Sequence, residues 1–413
     1  MTARNNDSYS GLQASFGRRR FLGLGAAAAG GVILSACGSD DDKTSSTNAP
    51  VATNASSVTT SPSASSAPTA SSAVPGPGGG RYGGPTPTKI GGNLTFVSSG
   101  SEGAVFDARK KYVFDVLRED YGVEVTIVSD LDYALIEAQI KTNQIDWDVI
   151  DADSFFAARA AKEGWLEPID YSIIDPTQLV DGAAKEFAVL QGVGAHHMAW
   201  NTSQAYAAGK GPTSWAEFFD TDLFPGRRAL RSGALQTLPG AALAAGVLPA
   251  DLYPLDLDKA FKSLEGVRDS VIKWVDGGQA MQDLALAGEA DLFNLYTSRC
   301  VTLKSEGEPI DFRFDQGTAE EADLIIIKGS KNTLQAQHAL ALSSNTPEYH
   351  KVLAEATSIG FTNVAGMELV SPDIQPLLST APANYRLLTP AGNDWWAENQ
   401  PAAEQRMAEW ILG

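Results

Sequence analysis

From residue 93 onward the apolar positions recur in two alternating rhythms. The stretch "NLTFVSS" (93–99) is a short β-rich run ending in Ser. The stretch "VFDARKKYVFDVLREDYG" (105–122) then places apolar residues at helical spacing and stops at Gly122. "VEVTIV" (123–128) reads as the next strand, "YALIEAQIKTN" (133–143) as the next helix, and "WDVIDAD" (147–153) as a buried strand with an acidic end. A further helix is expected in "SFFAARAAKEG" (154–164), closed by Gly164. Strand, helix, strand, helix, strand predicts an α/β protein with a mostly parallel sheet. Such sheets bind ligands beyond the carboxyl ends of their strands, so loops 98–103 and 151–154 are the first places to look.

The pattern before residue 90 is different. Residues 38–90 are almost entirely Ser, Thr, Ala, Pro and Gly. They hold too few large apolar groups to offset the entropy of ordering. A disordered tether of about 40 Å root-mean-square span is expected. Ahead of it, residues 1–37 have the order of an export signal: Arg18, Arg19 and Arg20, an apolar run diluted by Gly and Ala, then small residues. That run falls short of the roughly 20 strongly apolar residues of a spanning helix. "RRRFL" resembles a twin-arginine signal, with Gly17 where Ser or Thr is usual, and "LSAC" (34–37) resembles a lipobox ending in Cys37. The resemblance implies acylation of Cys37 after cleavage. The expected location is then the periplasm or the outer face of the cytoplasmic membrane, held by lipid.

Residues 91–413 are long enough to split their core into two lobes. The net charge of −19 argues against nucleic acid as a partner. There are two cysteines, so with Cys37 lipidated Cys300 is alone, and neither a disulfide framework nor a Cys-based zinc site is available. No G-x-S-x-G elbow, H-E-x-x-H, phosphate loop or dinucleotide fingerprint stands in its required context. An enzyme is not expected, nor a cofactor. A secreted hydrolase and a surface sensor or adhesion module remain as alternatives.

Several segments together resemble one family. "MAWNTSQAYAAGKGPTSWAEFFDTDLFPGRRAL" (198–230), "WDVIDADSFFAARAAKEGWLEPID" (147–170), "LALAGEADLFNLYTSR" (284–299), "GFTNVAG" (360–366) and "DWWAENQPAAEQRMAEWILG" (394–413) are similar to elements of bacterial ABC-importer substrate-binding proteins of the spermidine/putrescine-binding type. The likeness covers nearly everything from residue 91. It implies a periplasmic-binding-protein type II fold: two α/β lobes, a hinge crossed near 196–202 and 296–330, and an interlobe ligand cleft. The function it implies is capture of a small solute, a polyamine such as putrescine or spermidine, by lobe closure, and delivery to a membrane permease with its ATPase. A monomer without cofactor is expected.

The resemblance also nominates site residues. Ser99 and Ser101 come from the first strand loop, although Ser and Gly there also read as a plain turn. Asp151 and Ser154 come from the second, where Asp151 can pair an ammonium group and Asp153 reads as a helix cap. His196 and His197, adjacent on a strand, point to opposite faces and make a poor metal pair, so only His196 is placed in the cleft. Trp274 could cover methylenes or pack in the core, with Asp276 close behind. Tyr296 and Arg299 fall in the cleft loop. Arg299 stands where spermidine binders carry Asp; it either meets the ligand or neutralises Asp151 or Asp276. The stretch "RSGALQTLPGAAL" (231–243), where polyamine binders are expected to hold carboxylates, has Arg231 and no acid, so an anionic or zwitterionic solute (carboxylate, amino acid or phosphonate) remains open. Gln316, Glu321 and Asp323 are further candidates, of which the two acids could restore negative charge. Phe361, Thr362 and Asn363 are expected as the C-terminal wall, and Trp395, Trp396 and Trp410 as helix packing.

Overall fold

The computed structural model describes residues 79–98, 103–204 and 210–413. The expected export signal with Cys37, the expected tether up to residue 78, Ser99 and Ser101 lie outside the described residues. Ten strands form one sheet: β1 (Asn93–Val97), β2 (Glu124–Val128), β3 (Val149–Asp153), β4 (Ala188–Asn201), β5 (Arg228–Arg231), β6 (Val271–Val275), β7 (Leu292–Tyr296), β8 (Ile310–Phe312), β9 (Thr318–Ile326) and β10 (Gly360–Phe361). Their order is β2-β1-β3-β9-β4-β7-β5-β6, with β8 and β10 also paired to β4.

The register explains how one sheet serves two lobes. In the first lobe β1 pairs in parallel with β2 and β3, and in the second β5 pairs in parallel with β6 and β7. The 14 residues of β4 span roughly 45 Å at strand rise, more than either lobe needs. Residues 188–196 of β4 lie against β9, whereas 196–200 lie against β7. β9 repeats the pattern, bonding β3 through residues 322–326 and β4 along its length. β4 and β9 are therefore the strands the lobes share, and the protein is a bilobed α/β structure of the periplasmic-binding type II architecture.

The sheet is mixed and not mostly parallel as the strand–helix rhythm predicts, because β3 pairs antiparallel with β9, and β4 with β7, β8, β9 and β10. Each lobe buries both faces of its part of the sheet. In the first lobe, Phe96, Phe114, Leu117 and Leu340 pack on one side and Ile150, Phe156 and Ile325 on the other. In the second, Trp215, Phe218, Leu238 and Trp396 pack on one side and Phe293, Leu295 and Cys300 on the other. Helix ends follow local chemistry. Asp132 caps Tyr133–Thr142 by accepting from two backbone N–H groups, and Ser214 caps Trp215–Phe219. Gly122, with φ +74°, ends the first helix in a left-handed turn. Residues 79–90 lie on the first lobe, where Arg81 pairs with Glu119 and Asp120 and Tyr82 meets the edge of Tyr112.

Candidate ligand cleft

The end of β3, the middle of β9 and the tip of β7 converge on a cavity of about 30 Å³, lined among others by Arg109, Asp151, Asp153, Tyr296, Glu320 and Glu321. That is room for about two waters, so a solute of several heavy atoms enters only if the lobes part. The opposite wall is apolar, from Val105, Leu353, Ile359 and Phe361.

Charge is concentrated here. Arg109 ends the regular α-helical segment Ala104–Arg109, and the helix continues as wider π turns, a local feature common at functional sites. Its guanidinium is 4% exposed and lies over the Phe96 ring at 5.2 Å. Nε donates to Tyr349 Oη at 3.1 Å, and Nη1 donates to Ser98 Oγ at 2.9 Å and to Asp151 Oδ2 at 2.7 Å. Burial works against this charge, but Asp151 and Tyr349 outweigh it and raise the pKa, so Arg109 stays charged. Nη2 has no protein acceptor among the described residues, and neither does the buried Asp151 Oδ1 have a donor.

Two more carboxylates complete the acidic side. Asp153 is buried and accepts from Tyr133 Oη at 2.9 Å. Burial pushes its pKa up to about 7; the Tyr133 hydrogen bond opposes this, and Glu320 and Asp151 add to it. It occupies the cap position of Ser154–Lys162 without a side-chain cap bond, because its oxygen is turned to the tyrosine. Glu320 Oε1 accepts from Gln236 Nε2 at 3.1 Å, across from the second lobe, and lies 3.4 Å from His196 Nε2. Its Oε2 is buried with no partner among the described residues. Glu321 accepts from Asn393, and its pKa is raised by burial, with Lys185 opposing.

Of the residues nominated from the sequence, Asp151, Tyr296, Glu321 and Phe361 line this cavity. The Tyr296 ring lies against Gly194, where a Cβ would sit 2.0 Å from its hydroxyl oxygen, so β4 is close enough only because that residue has no side chain. His196 reaches the site through Glu320. The others lie elsewhere. Ser154 is buried at a helix start. Trp274 packs edge-on to Trp410 in the second lobe, and Asp276 accepts from Ser232 and from its own carbonyl side receives Arg231. Arg299 is buried and donates to Gln279 and Gln282. Asn363 caps Val364–Glu368 and donates to Ser344 O. Gln316 is held by Trp215, and Asp323 pairs with Lys185 at 2.8 Å. Sequence reasoning missed Arg109, Gln191 and Glu320. Arg109 had a readable signal, since it shares a helical face with Val105 and Tyr112, and a cation on an apolar face needs a buried partner.

Among the described residues no helix is long and apolar enough to cross a membrane. Residues 113–378 match the family described as bacterial extracellular solute-binding protein. A gamma-aminobutyric acid-binding protein of Pseudomonas aeruginosa is 29% identical over 325 residues, covering 77% of this chain and 90% of the relative. A solved GABA receptor superposes with a TM-score of 0.70 at 28% identity, over 77% of this chain and 97% of that one. A periplasmic binding protein of A. tumefaciens R10, solved with agropinic acid, gives 0.64 at 30% identity, over 78% and 100%. The chain thus belongs to the bacterial extracellular solute-binding proteins: it is no enzyme but the extracytoplasmic component that hands a small solute to an ABC importer.

Proposed function

We propose that the solute is a short, unbranched zwitterion of the 4-aminobutyrate class, its ammonium held by Asp151 and Glu320 and its carboxylate by Arg109. The observation that carries this is a single buried cavity in which two carboxylate oxygens, Asp151 Oδ1 and Glu320 Oε2, have no partner among the described residues, beside a guanidinium with an unengaged Nη2. A buried polar atom without a partner costs about 1–3 kcal/mol, and a ligand that supplies the missing donors recovers it. The Val105, Leu353 and Phe361 wall suits the methylenes between the two ends. Asp151 and Tyr296 are first-lobe and second-lobe groups on one cavity, so a ligand meeting both favours the closed state by its differential affinity.

The proteins named for GABA among the relatives support this reading. Titration calorimetry with 4-aminobutyrate, butyrate and butylamine tests it: the amino acid binds and neither truncated analogue matches it. Equal binding of butyrate overturns the role of the acids. A second reading, a diamine such as putrescine, is favoured by the excess of carboxylates over cations on the wall, Asp151, Asp153, Glu320 and Glu321 against Arg109. Putrescine binding more tightly than 4-aminobutyrate decides for it. Anchoring through an acylated Cys37 at the outer face of the cytoplasmic membrane is part of the same proposal, and is tested by mass spectrometry of the mature amino terminus.

A further inference from the structure

Phe361 lines two spaces at once. Its ring forms part of the interlobe cavity and also part of a separate groove of about 590 Å³ on the first lobe. The ring is 6% exposed and sits edge-on to His350, with centroids 6.1 Å apart. On its other side Phe361 pairs with Gly192 of β4, where a Cβ would come within 3.3 Å of the ring, so the aromatic face rests directly on bare backbone. The groove beyond it is lined by Val180, Met367, Leu378 and Pro382, with Gln375, Thr380 and the exposed Glu368 as its polar side chains. One side chain therefore separates a small charged cavity from a larger, mainly apolar space.

We propose that Phe361 is the stop that sets how long a solute the cleft accepts, and that the groove behind it receives the extra chain once the ring is removed. This rests on the reading that the solute is an aliphatic amine. The acidic end of the cleft is fixed on β3 and β9, and of the residues on its apolar side, Val105, Leu353, Ile359 and Phe361, only Phe361 also lines the groove, so a chain that grows along that side meets this ring. The groove offers apolar surface to methylenes and Glu368 to a second ammonium, so it suits a longer diamine or a polyamine.

The test is calorimetry of full-length wild type, Phe361→Leu and Phe361→Ala against ω-amino acids and α,ω-diamines of increasing length. One methylene too many in a closed pocket costs about tenfold or more in affinity, so the wild type is expected to show a sharp break in that series. In Phe361→Ala the break moves to chains longer by two or more methylenes, and in Phe361→Leu by less. Thermal melting confirms that each variant is folded; if the alanine variant is not, the leucine variant carries the same readout. A break that stays in place, or a uniform loss at all lengths, overturns the inference while leaving the amine reading intact. Failure of every amine to bind the wild type overturns the amine reading and this inference with it.

Discussion

Replacing Glu320 by Gln separates what a carboxylate does for the fold from what it does for the ligand. Oε1 already accepts from Gln236, and an amide oxygen keeps that bond; Oε2, buried and unpartnered, becomes an NH₂ group. Without ligand the change removes a buried charge that faces Asp153 and Tyr296, both of whose pKa values it helps to raise. The empty protein is therefore expected to be as stable as wild type or more so, by up to about 1 kcal/mol, or about 2 °C in Tm. With ligand the variant presents a donor to an ammonium and loses a charge-assisted hydrogen bond. Such bonds are worth about 1.5–3 kcal/mol, which is about 10- to 150-fold in Kd. Calorimetry with 4-aminobutyrate and thermal melting of the empty protein measure the two signs independently. Unchanged affinity, or a melting point several degrees lower, refutes the reasoning, since Glu320 would then hold the hinge and not the solute.

Three further outcomes follow from the same geometry. Folded Asp153 keeps its proton up to about pH 7, whereas the unfolded chain releases it near pH 4, so its contribution to stability is complete below pH 4 and disappears as pH rises to 7. Denaturant unfolding of wild type and Asp153→Asn should diverge in favour of the variant by up to about 1.4 kcal/mol per pH unit across that window; parallel curves count against a buried acid. His197 and His350, lowered mainly by burial to about 3 and about 4, act with the opposite sign and stabilise the fold above pH 6.5 in both proteins, so the difference between the curves isolates Asp153. An ammonium beside Asp153 favours its ionised form, so solute affinity should rise from pH 5 to 8 with release of a proton, visible as buffer-dependent heats. Gly194→Ala puts a Cβ against the Tyr296 ring and should lose about 1–3 kcal/mol of stability, partly regained in the Gly194→Ala/Tyr296→Ala double variant; full additivity contradicts the contact.

The parts of the fold that local chemistry decides were legible in the chain. Gly122 and Asn143 stop their helices in left-handed turns, Ser214 caps "WAEFF", and the apolar runs at 93–97, 124–128 and 149–153 are strands in the expected order. The site was legible only where it follows a strand end, as at Asp151. Glu320 and Glu321 are neighbours in β9 and both reach the cavity, one bonded to Gln236 and the other to Asn393; that pairing depends on the register of β9 against β4, which no local pattern carries. Trp274 was ambiguous for a related reason: its partner Trp410 belongs to a helix 136 positions later in the chain, and no local pattern carries that contact. Arg299 reads as a cleft cation by position, and in the fold it is buried and donates to Gln279 and Gln282, contacts that only the packing of two helices creates.

A crystal structure of the complex with 4-aminobutyrate tests the central claim most directly. The account predicts the ammonium nitrogen within about 3 Å of both Asp151 Oδ1 and Glu320 Oε2, and the carboxylate on Arg109 Nη2. The reverse orientation, with the carboxylate beside Glu320, or a solute bound outside the interlobe cavity, contradicts it.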